Sequence, residues 1–328
     1  MKLMRNKLVL LALIPLVIYW IACAAGLIQF HLWQQVVYMW ELNLSLWEKL
    51  GYFHFLRFSL VLPIFQLSEW LGVSYDWLFS VIVPTMLFTV TYFSTRSFLR
   101  FEPELSAPRQ ALVVLGISLF LIGLSLFMNG RLMFAFTGSS ILMWSLLSWE
   151  ANHDGINFAA VASAIYLSCV SSGTFLILTF AFYFFLVVNV ILRNPAVCRR
   201  SVLLSYALLL VALTPFLSLF VLKNLEYYGG GFGAIFDMLS HGYGKLLLNS
   251  NRLLIISGLA LVLGLAWVFR DFIRQQWIMV SLVLIYLAGG LFGYSTALVV
   301  LPPLLVIASK MSFKLLDRLM VVKTSLTS

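Results

Sequence analysis

Long apolar runs broken by short polar stretches dominate this chain. A helix needs about 20 residues to cross a hydrocarbon core of about 30 Å. Ten runs approach that length, at roughly 8–29, 76–95, 110–129, 132–149, 155–170, 174–192, 202–222, 253–269, 276–292 and 297–311. The first follows Met1-Lys2-Leu3-Met4-Arg5-Asn6-Lys7 and carries Ile18-Tyr19-Trp20 with no small-residue cleavage site behind it, so it reads as a retained helix and not a signal peptide. Residues 155–192 are too long to cross once, and Ser171-Ser172-Gly173 at their middle predicts a tight hairpin. The alternative there is one long tilted helix, which would put Arg193, Arg199 and Arg200 on the opposite side.

The stretch from 55 to 72 is ambiguous, because Arg57, Gln66 and Glu69 interrupt its apolar pattern. The tendency of Lys and Arg to stay inside decides it. If the stretch crosses, Arg96, Arg100 and Arg109 lie outside; if it lies in the interface or re-enters, they join Lys2, Arg5 and Lys7 inside. The second arrangement leaves only Lys49, Arg57, Arg131, Lys223, Lys245 and Arg252 outside. The expected fold is an all-α polytopic membrane protein of about ten transmembrane helices, with an interfacial or re-entrant helical segment near 31–75 and both termini cytoplasmic. Residues 1–328 form a single integral membrane domain whose external parts are 31–75 and a loop at 223–252. No repeat of fixed period is visible.

Composition agrees: 62% of residues are hydrophobic and 10% charged, against about 25% charged in a soluble domain. The net charge of +9 comes from Lys and Arg at segment ends, which points to topology and lipid contact and not to nucleic acid. Cys23, Cys169 and Cys198 show no CxxC or His/Cys spacing, and no dense Asp/Glu/His cluster occurs, so neither a metal nor a cofactor is expected.

This topology collects the informative polar residues on the outer face. Arg131 lies between two apolar runs in Phe127-Met128-Asn129-Gly130-Arg131-Leu132. Its guanidinium stays charged at any accessible pH and offers five donors, suited to a lipid headgroup or to a bound phosphate or diphosphate. The external segment from His31 is rich in Trp and Tyr, residues of the headgroup layer, and carries Glu48, His54, Arg57 and Glu69. It is either an interfacial anchor or one wall of a polar cleft. The 223–252 loop holds Tyr227 and Tyr228 beside Gly229-Gly230-Gly231, followed by Asp237, His241, Lys245 and Arg252. Glycine next to tyrosine serves a flexible connector or a lid whose aromatic faces stack on sugar rings.

Three pieces occur in a fixed order. Glu48-Lys49-Leu50-Gly51-Tyr52 leads through an amphipathic run to Leu71-Gly72-Val73-Ser74-Tyr75; Asn129-Gly130-Arg131-Leu132-Met133-Phe134-Ala135 opens a helix running inward; Ser171-Ser172-Gly173 turns the following hairpin. This order resembles the Wzy-type O-antigen and capsule polymerases, and especially the EpsG-like exopolysaccharide polymerases, over roughly residues 8–192. The chain departs from that pattern where Leu132 replaces a Gln and where Ser171 lacks a preceding His, so the family's histidine role has no counterpart here.

The resemblance implies a metal-independent glycosyltransferase of the bacterial inner membrane, multi-pass, with its site facing the periplasm. Its substrate would be an undecaprenyl-diphosphate-linked oligosaccharide, with membrane lipid and a chain-length regulator as further partners. Negative charge grows on the leaving diphosphate during transfer, so a fixed cation there binds the transition state more tightly than the ground state. Arg131 is the first candidate for that role, with Glu48 and His241 as the other catalytic candidates. Arg57, Glu69, Ser171, Tyr227, Tyr228, Asp237, Lys245 and Arg252 are the substrate-binding candidates. Asp76 is a further carboxylate able to take the acceptor-hydroxyl proton. The rival readings are a GT-C-like transferase using polyprenyl-phosphate sugars, with Glu41 or Glu48 as its acid, a flippase of lipid-linked glycans, and an assembly scaffold.

Overall fold

The computed structural model describes residues 2–42, 44–45, 47–48, 55–101, 106–128, 130, 132–152 and 157–192, scattered positions within 206–231, and residues 233–240, 264, 270–291 and 298–308. Among them the regular elements are helices. In chain order they are α1 (Lys2–Ala24), α2 (Gln34–Glu41), α3 (Phe55–Leu71), α4 (Tyr75–Phe101), α5 (Ala107–Phe127), α6 (Met133–Asn152), α7 (Phe158–Ser168), α8 (Ser172–Leu192), α9 (Gly233–Leu239), α10 (Arg270–Gln275) and α11 (Trp277–Gly289). Three stretches, Lys7–Ala24, Tyr75–Arg100 and Ala107–Phe127, are long and apolar enough to cross a membrane; Ser59–Leu71, Met133–Trp149, Ala159–Ser168, Gly173–Val188 and Trp277–Gly289 are apolar but shorter. The expected runs at 202–222 and 253–269 lie largely outside the described residues.

The long helices are apolar on both faces. On α1, Ala12, Leu16, Tyr19 and Cys23 turn inward at helical spacing while Leu10, Ile14, Ile18 and Ile21 stay exposed. On α5, Val114, Ile117 and Leu121 are buried, whereas Leu112, Leu119, Phe120 and Phe127 are exposed. An exposed apolar stripe of this length suits lipid and not water, because each Å² of such surface costs about 25 cal/mol in water.

Hydroxyls fix the register inside the bundle. Ser118 on α5 donates to the Ala12 carbonyl, and one turn pair further along Tyr19 and Ser125 bond at 2.8 Å. The same offset in both contacts makes α1 and α5 parallel. Trp20 Nε1 donates to Thr85 Oγ1 at 3.2 Å and Trp77 Nε1 to the Ala24 carbonyl at 2.9 Å, so α4 runs antiparallel to α1. Helix α6 follows α4 in parallel: Phe134 stacks on Phe79, and Arg100 Nη1 donates to Ser148 Oγ at 3.0 Å. Such interhelical hydrogen bonds contribute about 0.6 kcal/mol each on average within a membrane.

Helix α6 is the hub, with Met133, Ala135, Phe136, Leu142, Met143 and Leu146 all buried. It packs on α4, α7, α8 and α11. Its closest approach is to α7, where a Cβ on Gly138 would stand 2.4 Å from the Ala164 carbonyl oxygen. Ala160, Ala164 and Ser168 supply the opposing small-residue stripe.

All four of these long helices share two ends. At the near end α1 starts, α4 finishes, α5 starts and α6 finishes, which collects Lys7, Arg96, Arg100 and Arg109. At the far end α1 finishes, α4 starts, α5 finishes and α6 starts. The end of α1 and the start of α4, on either side of residues 25–74, therefore lie at the same end of the bundle. Helix α3 buries Val61, Ile64, Phe65 and Ser68 along one stripe and exposes Gln66, Glu69 and Trp70 on the other. Leu67 and Leu71 are exposed there too, so the outer side mixes apolar and polar groups, and the helix is held by stacking of Phe65 on Trp40 of α2 at 4.9 Å and by its contact with Tyr75.

Candidate functional site

Helix termini build the far end. The last turn of α1 closes with Leu27 N–H donating to the Ala22 carbonyl and Gly26 N–H to the Cys23 carbonyl, with Gly26 at φ 74°. This paired closure needs a left-handed residue after the helix, which glycine adopts at no steric cost. Helix α3 ends the same way through Val73 and Gly72. Two residues later Ser74 caps α4, its hydroxyl accepting from Trp77 N–H at 3.1 Å. Asp76 thus falls in the first turn of α4, where the helix dipole favours a carboxylate.

The chain leaving α1 is pinned across that turn. Phe30 N–H donates to Ser80 Oγ at 2.8 Å, and Ser80 in turn donates to the Asp76 carbonyl at 2.8 Å. Leu32 N–H donates to Asp76 Oδ1 at 2.9 Å, and His31 Nδ1 lies 2.8 Å from Asp76 Oδ2. Both oxygens of one carboxylate are therefore engaged by two successive residues. Phe30 and Leu32 are buried, whereas the His31 side chain between them is 67% exposed and that of Asp76 32%.

The α5–α6 turn meets the same corner. Gly130 is buried at φ 71°, and a Cβ there would stand 2.6 Å from Val83 Cγ2, 3.3 Å from Phe30 and 3.4 Å from Phe79. Only glycine fits both that backbone and that space. Leu132 packs against the core on the other side of Arg131. Arg131 and Asn129 themselves lie outside the described residues.

The other candidates are distributed as follows. Glu48 closes a capping box with Ser45: its Oε2 accepts from the Ser45 hydroxyl at 2.6 Å and from Ser45 N–H at 2.8 Å, while Glu48 N–H reaches back to Ser45 Oγ. Those bonds, the hydroxyl's first, hold its carboxyl below the ordinary range. Glu69 sits on the exposed face of α3, and Arg57 lies in the first turn of the same helix. Ser171 is buried at the turn between α7 and α8, where its carbonyl accepts from Thr174 Oγ1 at 2.9 Å. That turn lies near α3, because Tyr166 OH reaches Ser59 Oγ at 3.2 Å. Tyr227 and Tyr228 pack edge to face at 5.0 Å, and burial followed by the Tyr227 neighbour raises the Tyr228 phenol. Asp237 is exposed on α9. His241, Lys245 and Arg252 lie outside the described residues, as does His54.

The pairing of His31 with Asp76 was not legible as a motif. The two are separated by 45 positions that include α2 and α3; the usable signals were an acidic residue just behind a capping Ser and a topology that returns the segment to its starting end.

Chemically, the corner offers an exposed imidazole oriented by a fixed carboxylate, beside the buried Gly130 that Arg131 follows in sequence. No family model, no curated protein and no solved structure matches this chain.

Proposed function

We propose that this chain polymerises oligosaccharide units carried on undecaprenyl diphosphate, as a multi-pass protein of a bacterial inner membrane whose far end faces the periplasm. The observation that carries the reading is the seating of Gly130 against Phe30 and Phe79, which ties the Asn129-Gly130-Arg131 turn to the corner of His31 and Asp76. Transfer from a lipid diphosphate needs two services in one place. A cation must meet the charge developing on the leaving diphosphate, and a base must meet the proton of the attacking sugar hydroxyl. Arg131, next in sequence to Gly130, is assigned the first, and the corner that seats Gly130 holds groups able to supply the second. An end that combines these groups with exposed Trp70 beside exposed Gln66 and Glu69 suits a substrate that is half lipid and half glycan.

Purified protein in lipid nanodiscs, given a lipid-diphosphate-linked oligosaccharide, should yield products lengthened by whole repeat units with release of the lipid diphosphate. Movement of the substrate across a vesicle membrane without lengthening would overturn the reading in favour of a flippase. Turnover of a monophosphate-linked sugar alone would overturn it in favour of a GT-C-like transferase.

A further inference from the structure

The geometry points to His31 as the group that takes the proton from the acceptor sugar hydroxyl, with Asp76 as its positioning residue. This rests on the polymerase reading and names the base within it. A carboxylate only accepts hydrogen bonds, so the His31 Nδ1 facing Asp76 Oδ2 at 2.8 Å carries the ring hydrogen. In the neutral ring this leaves a free lone pair on Nε2, the nitrogen turned away from Asp76. The tautomer is thereby set for proton acceptance at Nε2, as in other dyads where a carboxylate orients a histidine.

Three features favour proton transfer over a purely structural clasp. Leu32 N–H already ties the loop to Asp76, and Phe30 N–H ties it to Ser80, so the backbone is fixed without the imidazole. The ring is mostly exposed while both its chain neighbours are buried, so a reactive face is presented on a rigid mount. Phe30, adjacent to His31, is also one wall of the Gly130 seat, which puts the base and the Arg131 turn on one support.

The step balances. The acceptor hydroxyl oxygen forms a bond to the anomeric carbon of the donor as the bond from that carbon to the diphosphate oxygen breaks. The electron pair leaves with the diphosphate, and the hydroxyl proton moves to His31 Nε2 and from there to water.

His31→Ala, in the elongation assay above, is expected to lose about 100-fold or more in turnover, the usual contribution of a general base, with KM for the lipid-linked substrate changed less than threefold. Added imidazole should restore turnover in proportion to its concentration, because the vacated site is open to solvent. His31→Gln keeps a donor for Asp76 and lacks a basic nitrogen; it should hold wild-type thermal stability and remain inactive. Asp76→Asn should lower turnover with KM little changed and leave the imidazole-rescued rate of His31→Ala nearly unaffected, since free imidazole needs no orienting partner. Full turnover in His31→Gln, or an inactive but folded His31→Ala that imidazole does not rescue, would overturn the assignment while wild-type elongation still upheld the polymerase reading. Absence of elongation by the wild-type protein would overturn both.

Discussion

The two ends of the bundle are built from different materials. At the near end, cations are held by what lies beside them: Arg96 sits over the Tyr92 ring at 5.0 Å, and Arg100, in the last turn of α4, bonds Ser148 on α6. Cations at a helix C-terminus are favoured by the helix dipole, and an arginine over an aromatic ring remains free to meet headgroups. At the far end, the chain is shaped by positive-φ glycines, a serine cap and a carboxylate that takes two partners, one of them the exposed His31. The near end is suited to fixing orientation. The far end fixes positions, which orientation alone does not require.

The comparison breaks at once if the two ends lie on one side of the membrane. In a variant lacking the native cysteines, Trp70→Cys and Ser106→Cys occupy exposed positions at the far and near ends. An impermeant thiol reagent added to intact spheroplasts should label the first fully and the second only after permeabilisation. Equal labelling of both before permeabilisation would remove the distinction. Next in size, Arg131→Ala should abolish long-chain polysaccharide at normal protein abundance, since losing one preorganised group opposite developing charge costs about 10²–10³ in rate. A normal chain-length ladder in that variant would return Arg131 to the role of headgroup contact. Gly130→Val acts through position and not charge. A left-handed backbone costs an ordinary residue about 1–2 kcal/mol, and the new side chain meets Val83, Phe30 and Phe79. A lowered melting temperature together with shortened polymer is expected; unchanged chain length in a folded variant would uncouple the turn from the site.

Much of this architecture is legible in the sequence. The apolar runs located α1, α4 and α5, which are long enough to cross, and the shorter α6, because a backbone in a bilayer must satisfy its own hydrogen bonds and apolar length is then a strong signal. The limits of the runs were less informative. The first run continues to residue 29, but the helix stops at Ala24 because Gly26 reverses the chain and Trp77 takes up the Ala24 carbonyl. The second stops at 95 by composition, whereas α4 continues through Arg96 and Arg100, whose charges are accommodated by Tyr92 and Ser148. The hairpin at 155–192 turns at Cys169–Ser171, ahead of the expected Ser171-Ser172-Gly173, whose last two residues already open α8, and its first arm, α7, is only 11 residues long. The site was half visible. Glycine and arginine at 130 and 131 stood out against apolar neighbours, whereas His31 and Asp76 meet only because two distant segments fold to one corner, and no local spacing encodes that. Glu48 illustrates the converse: Ser45-Leu46-Trp47-Glu48 is a capping-box pattern, and local geometry gives its carboxylate a partner three residues away.

Smaller effects sharpen the contrast. Arg100→Ala at the near end removes one charge-assisted hydrogen bond to Ser148, worth about 1.5–3 kcal/mol where buried and less at this half-buried position. It should lower stability modestly and leave polymer length unchanged. Shortened polymer in that variant would mean that the near end also serves the chemistry.

The weakest expected effect concerns Glu48, and its sign follows from the capping box. The carboxyl is held below its usual range by the Ser45 hydroxyl and then by the Ser45 N–H, so the folded form binds the proton less readily than the unfolded one. The bonds therefore support local order fully above the ordinary carboxylate range near pH 4.5, and that support fades as pH falls through the lower folded value. Hydrogen exchange across residues 45–48, compared between wild type and Ser45→Ala at matched pH, should show protection in the wild type at neutral pH that shrinks on acidification toward the level of the variant. Glu48→Gln keeps an amide oxygen able to accept from Ser45, so its exchange should lose the pH dependence without falling to the Ser45→Ala level, and it should retain elongation, because this side chain holds a turn while proton transfer is assigned to His31. Loss of elongation in a folded Glu48→Gln would move the base from the corner of α4 to the segment before α3.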